Sequence, residues 1–246
     1  MRGLHSRVRL IDGGLQGERH LAGIEIALDP GFKTYWRTPG DSGLPPRFDW
    51  SRSDNVAAVE LRWPAPARHE DAAGTAYVYH GRVVLPVLVT AREAGKPVHL
   101  ALALDYGICN DVCIPARAEL SAPLSADGPH RAGIESALAA APRPQALGAA
   151  ADLAVTGVER IAGDKPAFRV TVRAPHGARP ALFVEGPENW YVSSSPPDGT
   201  DRFTVTVEQK PRDAPSRVPI RLTLVAGDRA IESEASLDAG QRPASP

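Results

Sequence analysis

Cys109 and Cys113 are the whole cysteine complement of this 246-residue chain, and they sit four positions apart in "DYGICNDVCIP", residues 105–115. Two sulfurs so placed can be a structural staple, half of a metal site, or a dithiol–disulfide couple. A fully extended strand would hold them roughly 13 Å apart, at about 3.3 Å per residue. A disulfide needs Cα atoms roughly 4.4–6.8 Å apart. Gly107, Asn110 and Asp111 are turn formers between strand-like flanks, so the stretch can fold back as a hairpin tip that presents both sulfurs together.

The three chemistries make different demands. Closing a five-residue loop adds only about 2 kcal/mol in the chain-entropy model, little for a chain of this size. Structural zinc requires two further ligands, and the nearest histidines, His99 and His130, have no ligand spacing. A single methionine argues against Met-rich copper binding. Redox exchange requires neighbouring thiols, one of them open to in-line attack. Cys-x-x-x-Cys is not the Cys-x-x-Cys of the thioredoxin fold, and no βαβ pattern surrounds it. Spacing alone leaves both the staple and the redox couple open.

Other chemistry is poorly represented. His5, His20, His69, His80, His99, His130 and His176 are scattered and assemble no Ser–His–Asp set. There is no phosphate loop and no basic–aromatic stripe for nucleic acid. With 28 basic and 29 acidic residues, a net charge of −1 offers no field for nucleic acid or an anionic membrane surface.

The elements that must position the thiols are strands. The 24 prolines and 22 glycines leave little room for long helices. "VRLID", "GIEIALD", "AAVELRW", "YVYHGRVVLPVLVTA", "VHLALALDY" and "RAELSAPL" recur about every ten residues over 6–125. Ile24, Ile26 and Leu28 alternate onto one face, as do Leu100, Leu102 and Leu104, which predicts an antiparallel sandwich. "GPHRAGIESALAAAP", 128–142, is the one helix pattern, with Ile134, Ala137, Leu138 and Ala141 in a stripe and Pro142 as its stop. "RPQALGAAA" reads as a linker.

Alternation resumes over 152–238, at Phe168, Val170 and Val172, then Phe203, Val205 and Val207, then Ile220, Leu222 and Leu224. The tail "DAGQRPASP" reads as unstructured. The expectation is an all-β chain of two immunoglobulin-like β-sandwich domains joined by a short helix and linker. Residues 1–127 form the thiol-bearing domain, 128–151 the helix and linker, and 152–246 the second sandwich with its tail.

No apolar stretch approaches the roughly 18 residues of a membrane helix; "VVLPVLVTA" is strand-sized. "MRGLHSRVRLIDGG" lacks the apolar core of a signal peptide, so Met1 reads as an initiator on a mature sequence whose export signal has been removed.

"LDYGICNDVCIPARAELS", with "ALDPGFKTYWRTPGDSGLPPRFDW" and "GRVVLPVLV" before it, resembles the N-terminal periplasmic domain of the DsbD family, most closely its ScsB-type branch, which is associated with suppression of copper sensitivity. The likeness covers residues 6 to about 125. "LFVEGPENWYV" and "LTLVAGDRAIE" in the second sandwich are similar to the ScsB-type region, which carries two such domains.

The resemblance implies a periplasmic thiol–disulfide oxidoreductase that needs no cofactor or metal. It would take electrons from membrane and thioredoxin-like domains, either as the ectodomain of the same full-length chain or as a standalone relative, and pass them to thioredoxin-fold partners such as disulfide isomerases. Cys109 and Cys113 would be the redox pair, with Cys113, ahead of Ile114 and Pro115, forming the mixed disulfide and Cys109 resolving it. In the DsbD branch a cap loop with an aromatic residue shields the thiols. Its counterpart here is "RHEDAAGTAYVYHG", 68–81, without a phenylalanine, where either Tyr77 or Tyr79 would stand for the aromatic or the site would be more open, and where Glu70 and Asp71 would be the acidic neighbours. "KTYWR" makes Tyr35 and Trp36 either rim residues or plain core aromatics of the sandwich, with Arg37 either a cation that would favour a thiolate if close or a surface ion-pair partner. The rivals are a non-enzymatic binding module with an inert disulfide, and a copper-tolerance protein holding Cu(I) through the thiol pair.

Overall fold

The computed structural model describes residues 1–41, 43–72, 74–162, 164–199 and 201–238. The residues from 239 on, where the unstructured tail was expected, lie outside the described residues. The chain divides into two units, Met1–Ala141 and Pro142–Pro246, and it is all-β apart from one helix among the described residues.

The first unit is a sandwich of two antiparallel sheets. One contains β1 (Arg2–Gly3), β2 (Ser6–Gln16), β3 (Arg19–Leu28), β9 (Arg82–Ala91) and β6 (Val56–Leu61), in that spatial order. The other runs β11 (Cys113–Leu124), β10 (Val98–Cys109), β4 (Lys33–Gly40), β8 (Gly74–His80) and β7 (Ala67–Asp71), with β5 (Arg47–Asp49) also paired to β10. Between the sheets lie Ile24 and Ile26 of β3 and Leu100, Leu102 and Leu104 of β10, each at most 4% exposed. Period-two alternation turns these side chains inward together. A hydrogen bond of 2.8 Å between Ser6 Oγ and Tyr106 Oη ties the two sheets.

Leu21 of β3 is also fully buried, although it faces away from Ile24. The reason is α1 (Arg131–Ala139). Ile134, with no exposed surface, packs on Ile11, Leu21 and Leu88, and Leu138 joins the same cluster. The helix that the sequence places between the two sandwiches thus docks its apolar stripe on the outer face of the first one. His130 gives the helix no side-chain cap, so it is held by this packing rather than by its own ends.

The second unit is a smaller sandwich. One sheet is β12 (Arg143–Pro144), β19 (Arg229–Asp238), β18 (Arg217–Ala226) and β15 (Ala181–Glu185); the other is β13 (Ala154–Ile161), β14 (Ala167–Arg173), β17 (Arg202–Gln209) and β16 (Tyr191–Ser194). Phe168, Val170, Val172, Phe203, Val205, Val207, Ile220, Leu222 and Leu224 share one core. The stretch read as a linker is partly built into this unit. Arg143 and Pro144 pair with Ile231 and Glu232, and the Gln145 amide donates to the Glu232 carbonyl.

Candidate functional site

β10 and β11 form one long hairpin, in unbroken register from Val98↔Leu124 to Cys109↔Cys113. Its tip is the three-residue loop Asn110, Asp111 and Val112. The two cysteines are therefore the last cross-strand pair before the turn, with Cα atoms 4.2 Å apart, and they form a disulfide. The fold-back that the turn formers allow is the one observed.

The two ends of the bond differ in environment. Cys109 has no exposed surface and packs with Tyr35, Ala76 and Val78. Cys113 is exposed, beside Val112, which is 71% exposed. Attack on a disulfide proceeds along the S–S axis on an accessible sulfur, and here that sulfur belongs to Cys113.

Register places the neighbours. β4 pairs with β10 through Lys33↔Cys109 and with β8 through Lys33↔His80 and Tyr35↔Val78. Cross-strand partners share a sheet face, so Lys33, Tyr35 and Cys109 project to the same side, away from the sandwich core. The Tyr35 hydroxyl is 2.9 Å from the Cys109 Sγ and 2.9 Å from the Cys113 Sγ. Burial, reinforced by the nearby Asp71 carboxylate, pushes its phenol above the usual tyrosine value.

The ring is fixed by two glycines. A Cβ on Gly107 would stand 3.1 Å from Tyr35 Cδ2 and 3.0 Å from Leu44 Cβ; one on Gly43 would stand 2.5 Å from Tyr35 Cε1. The cover over Tyr35 thus includes the β4–β5 loop, at Gly43 and Leu44.

Lys33 enters β10's neighbourhood from the same face. Its side chain is 9% exposed, and its Nζ lies 3.2 Å from His69 Nε2, 3.4 Å from the Asn110 carbonyl and 3.7 Å from Asp71 Oδ2. His69 is itself 3.4 Å from Asp71 and 5.8 Å, centroid to centroid, from the His80 ring. Lys33, His69, Asp71 and His80 thus form one polar cluster on the β4 side of the hairpin tip.

The sequence-derived candidates divide accordingly. Tyr35 and Asp71 stand in this group. Glu70 turns the other way and pairs with Arg68 at 2.7 Å. Trp36, expected at the rim, has no exposed surface, because the residue after Tyr35 in a strand faces inward; Tyr77 packs edge-on against it. The Tyr79 hydroxyl donates to the Pro64 carbonyl, 2.6 Å away. Neither tyrosine of 68–81 takes the place of the expected aromatic shield. Arg37 lies over the Trp36 ring at 4.6 Å. Ile114 is half-buried, whereas Pro115 is exposed and lines a groove of about 460 Å³ with Leu44, Pro45 and Arg47.

Lys33 and His69 were missed by sequence reasoning. The signal was present in "KTYWR": alternation that gives Tyr35 to the sulfurs gives them Lys33 as well. Among the described residues no group of three or more His, Cys, Asp or Glu side chains is arranged to hold a metal ion.

Residues 9–125 match the family model described as thiol:disulfide interchange protein DsbD, N-terminal. The structure is similar to the N-terminal periplasmic domain of ScsB from Proteus mirabilis, with 18% identity, a TM-score of 0.71, and coverage of 96% of this chain and 94% of that one. The N-terminal domain of DsbD from Neisseria meningitidis, in its reduced form, aligns over 49% of this chain and 86% of its own, at 18% identity and a TM-score of 0.31. No curated protein matches the chain.

Proposed function

Residues 9–125 belong to the family of DsbD N-terminal thiol:disulfide interchange domains, and from that premise we propose that this chain relays reducing equivalents to thioredoxin-fold proteins in the periplasm by dithiol–disulfide exchange at Cys109 and Cys113. The observation that carries the reading is the contrast between the two sulfurs: one sealed, one exposed, joined in a disulfide at a hairpin tip. A bridge meant only to stabilise gains nothing from an exposed end.

In the reducing direction the reduced chain attacks a partner's disulfide. The Cys113 thiolate displaces one partner sulfur and forms a mixed disulfide. The Cys109 thiolate then attacks the Cys113 sulfur, which closes the intramolecular bond and releases the partner as a dithiol. Recharging runs the same steps backwards: a donor thiolate attacks the exposed Cys113 sulfur, and Cys109 leaves as thiolate. Each cycle moves two electrons, and no group beyond the four sulfurs is oxidised or reduced.

The donor is proposed to be a membrane-linked dithiol carrier and the acceptor a disulfide isomerase-like protein. Periplasmic placement agrees with the periplasmic domain to which the fold is similar; among the described residues no helix is long and apolar enough to cross a membrane. The second sandwich is assigned a spacing or docking role.

Trapping decides the matter. A Cys109→Ala protein retains the attacking thiol and lacks the resolving one, so it accumulates mixed disulfides with thioredoxin-fold proteins in a periplasmic extract. If the wild-type bridge resists mild thiol reductants and neither single-cysteine protein captures a partner, the bridge is a staple and the chain a binding module.

A further inference from the structure

Reducing the Cys109–Cys113 bond creates negative charge in the least hydrated part of the site. Cys109 has no exposed surface, and a thiolate removed from water is costly unless donors or cations replace its hydration. Two side chains of β4 stand where that replacement is needed. Tyr35 brings its hydroxyl to 2.9 Å from the Cys109 sulfur. Lys33 is the direct cross-strand partner of Cys109, so the two side chains leave the sheet together, with Cβ atoms about 5 Å apart.

Lys33 is an odd residue to bury next to a neutral disulfide. Its neighbours His69, Asp71 and the Asn110 carbonyl lie 3.2–3.7 Å away, and the nearest full negative charge, on Asp71, is the farthest of the three. Lys33 already faces the Asp71 carboxylate at 3.7 Å, and a thiolate on Cys109 would give this buried ammonium a second anion.

We propose that Lys33 and Tyr35 form a thiolate-receiving site for Cys109, in which the Tyr35 hydroxyl donates a hydrogen bond to the Cys109 sulfur as it leaves and the Lys33 ammonium supplies the compensating charge. The proposal rests on the exchange reading above and adds the residues that make its leaving group a good one. The step is balanced as follows. A donor thiolate forms a bond to the Cys113 sulfur, the Cys109–Cys113 bond breaks, and its electron pair stays on the Cys109 sulfur. Tyr35 keeps its proton throughout; the raised phenol value keeps it a donor across the neutral range. Because the hydroxyl is equally near both sulfurs in the oxidised state, it reaches the departing one with no change of rotamer.

The site is built rather than incidental. Gly43 and Gly107 wedge the Tyr35 ring, and the Asn110 carbonyl draws the Lys33 Nζ toward the hairpin tip. The other titratable or charged groups facing the pair are His69 and Asp71 on β7 and His80 on β8, with Asp105 and Arg117 farther along the same face of β10 and β11.

The test reads the thiolate directly. In a Cys113→Ala background Cys109 is the sole thiol, and its ionisation is followed by the ¹³Cβ shift of labelled cysteine across a pH titration. Adding Lys33→Met or Tyr35→Phe is expected to raise the Cys109 pKa by about one unit, a tenfold loss of thiolate near neutrality, while Lys33→Arg restores most of it. In the two-cysteine protein, equilibrated with glutathione, each tenfold loss makes the reduction potential about 30 mV more negative. Near-UV circular dichroism identifies the variants that keep the native packing; Tyr35→Phe retains the ring in its slot. Folded Lys33→Met and Tyr35→Phe proteins with unchanged Cys109 pKa and unchanged potential overturn the proposal. A wild-type bridge that fails to exchange with glutathione at all overturns the exchange reading instead, and the Cys109 titration still reports on this one.

Discussion

Cys109 and Cys113 are opposite each other across one ladder rung, with Cα atoms 4.2 Å apart, yet Cys109 has no exposed surface and Cys113 lies open to solvent. A disulfide so placed offers one sulfur to solvent and keeps the other covered. The difference follows from the sheet: Cys109 ends β10, an interior strand flanked by β4, whereas Cys113 opens β11, the edge strand of the sheet.

The first expectation concerns which thiol captures a partner. A Cys109→Ala protein should form mixed disulfides at least tenfold faster than a Cys113→Ala protein, scored as high-mass bands on non-reducing gels after mixing with an oxidised thioredoxin-fold protein. Equal capture by both would show that burial does not govern attack.

Reduction should leave the fold in place. The bond closes a loop of only five residues, so its loss lowers stability by about 2 kcal/mol. The remaining rungs of the β10–β11 ladder, Val98↔Leu124 through Ile108↔Ile114, are independent of it. Urea unfolding with and without a strong thiol reductant measures the difference, and a loss of several times that size would mean that the bridge is structural.

Gly107→Ala tests the wedge around Tyr35. The added methyl would meet the ring at 3.1 Å and Leu44 at 3.0 Å, overpacking that costs about 1–3 kcal/mol. Because the displaced group is Tyr35, the rate of exchange with glutathione should change together with stability. A substitution with the same stability cost in the second unit should leave that rate alone.

Helix α1 is expected to be part of the first unit's stability. Ile134→Ala removes a fully buried side chain from the cluster with Ile11, Leu21 and Leu88, a change that costs about 2–5 kcal/mol. Chemical denaturation of the Met1–Ala141 unit within the full chain reads it, and a negligible change would return the helix to the role of a joint.

Acid should weaken the second unit through one pair. Arg229 donates two hydrogen bonds of 2.7 Å to the Asp152 carboxylate and holds its pKa down from 3.8 to about 2. A folded-state value below the unfolded one means a contribution present above pH 3.8 that fades as pH falls toward 2. The pair is solvent-exposed, so salt should screen it. Asp152→Asn should flatten this part of the acid profile in thermal melts of the second unit, and a profile unchanged by the substitution would show the pair to be inert.

Much of this was legible in the chain itself. Leu100, Leu102 and Leu104 are inward together because a two-residue period has no other way to bury them, and Asn110 and Asp111 marked the turn that joins the thiols, whereas Gly107, read with them as a turn former, lies within β10 opposite Pro115. The helix stripe was equally plain, but a stripe says that a face is buried and not against what. Only the pairing of β2, β3 and β9 made the receiving surface for Ile134. The rim of the site was the hardest part. Tyr35 and Trp36 are both large aromatics, and choosing between them requires the register of β4 against β10, a long-range pairing of Lys33 with Cys109. The same missing register hid Lys33 and His69. The shield was expected from aromatics of 68–81, whereas Tyr77 and Tyr79 of β8 alternate with Ala76 and Val78 and so turn away from the sulfurs.

The long β10–β11 ladder has one more effect. Because backbone pairing and not the covalent bond keeps the strand ends together, the separated thiols stay near attack distance, and each feels the other at an effective molarity far above any concentration in free solution. Under the exchange proposed above, a captured protein would therefore be released quickly once Cys109 is ionised, and the hairpin would act as a spring-free latch that hands over both electrons before its guest can diffuse away or be met by a competing thiol.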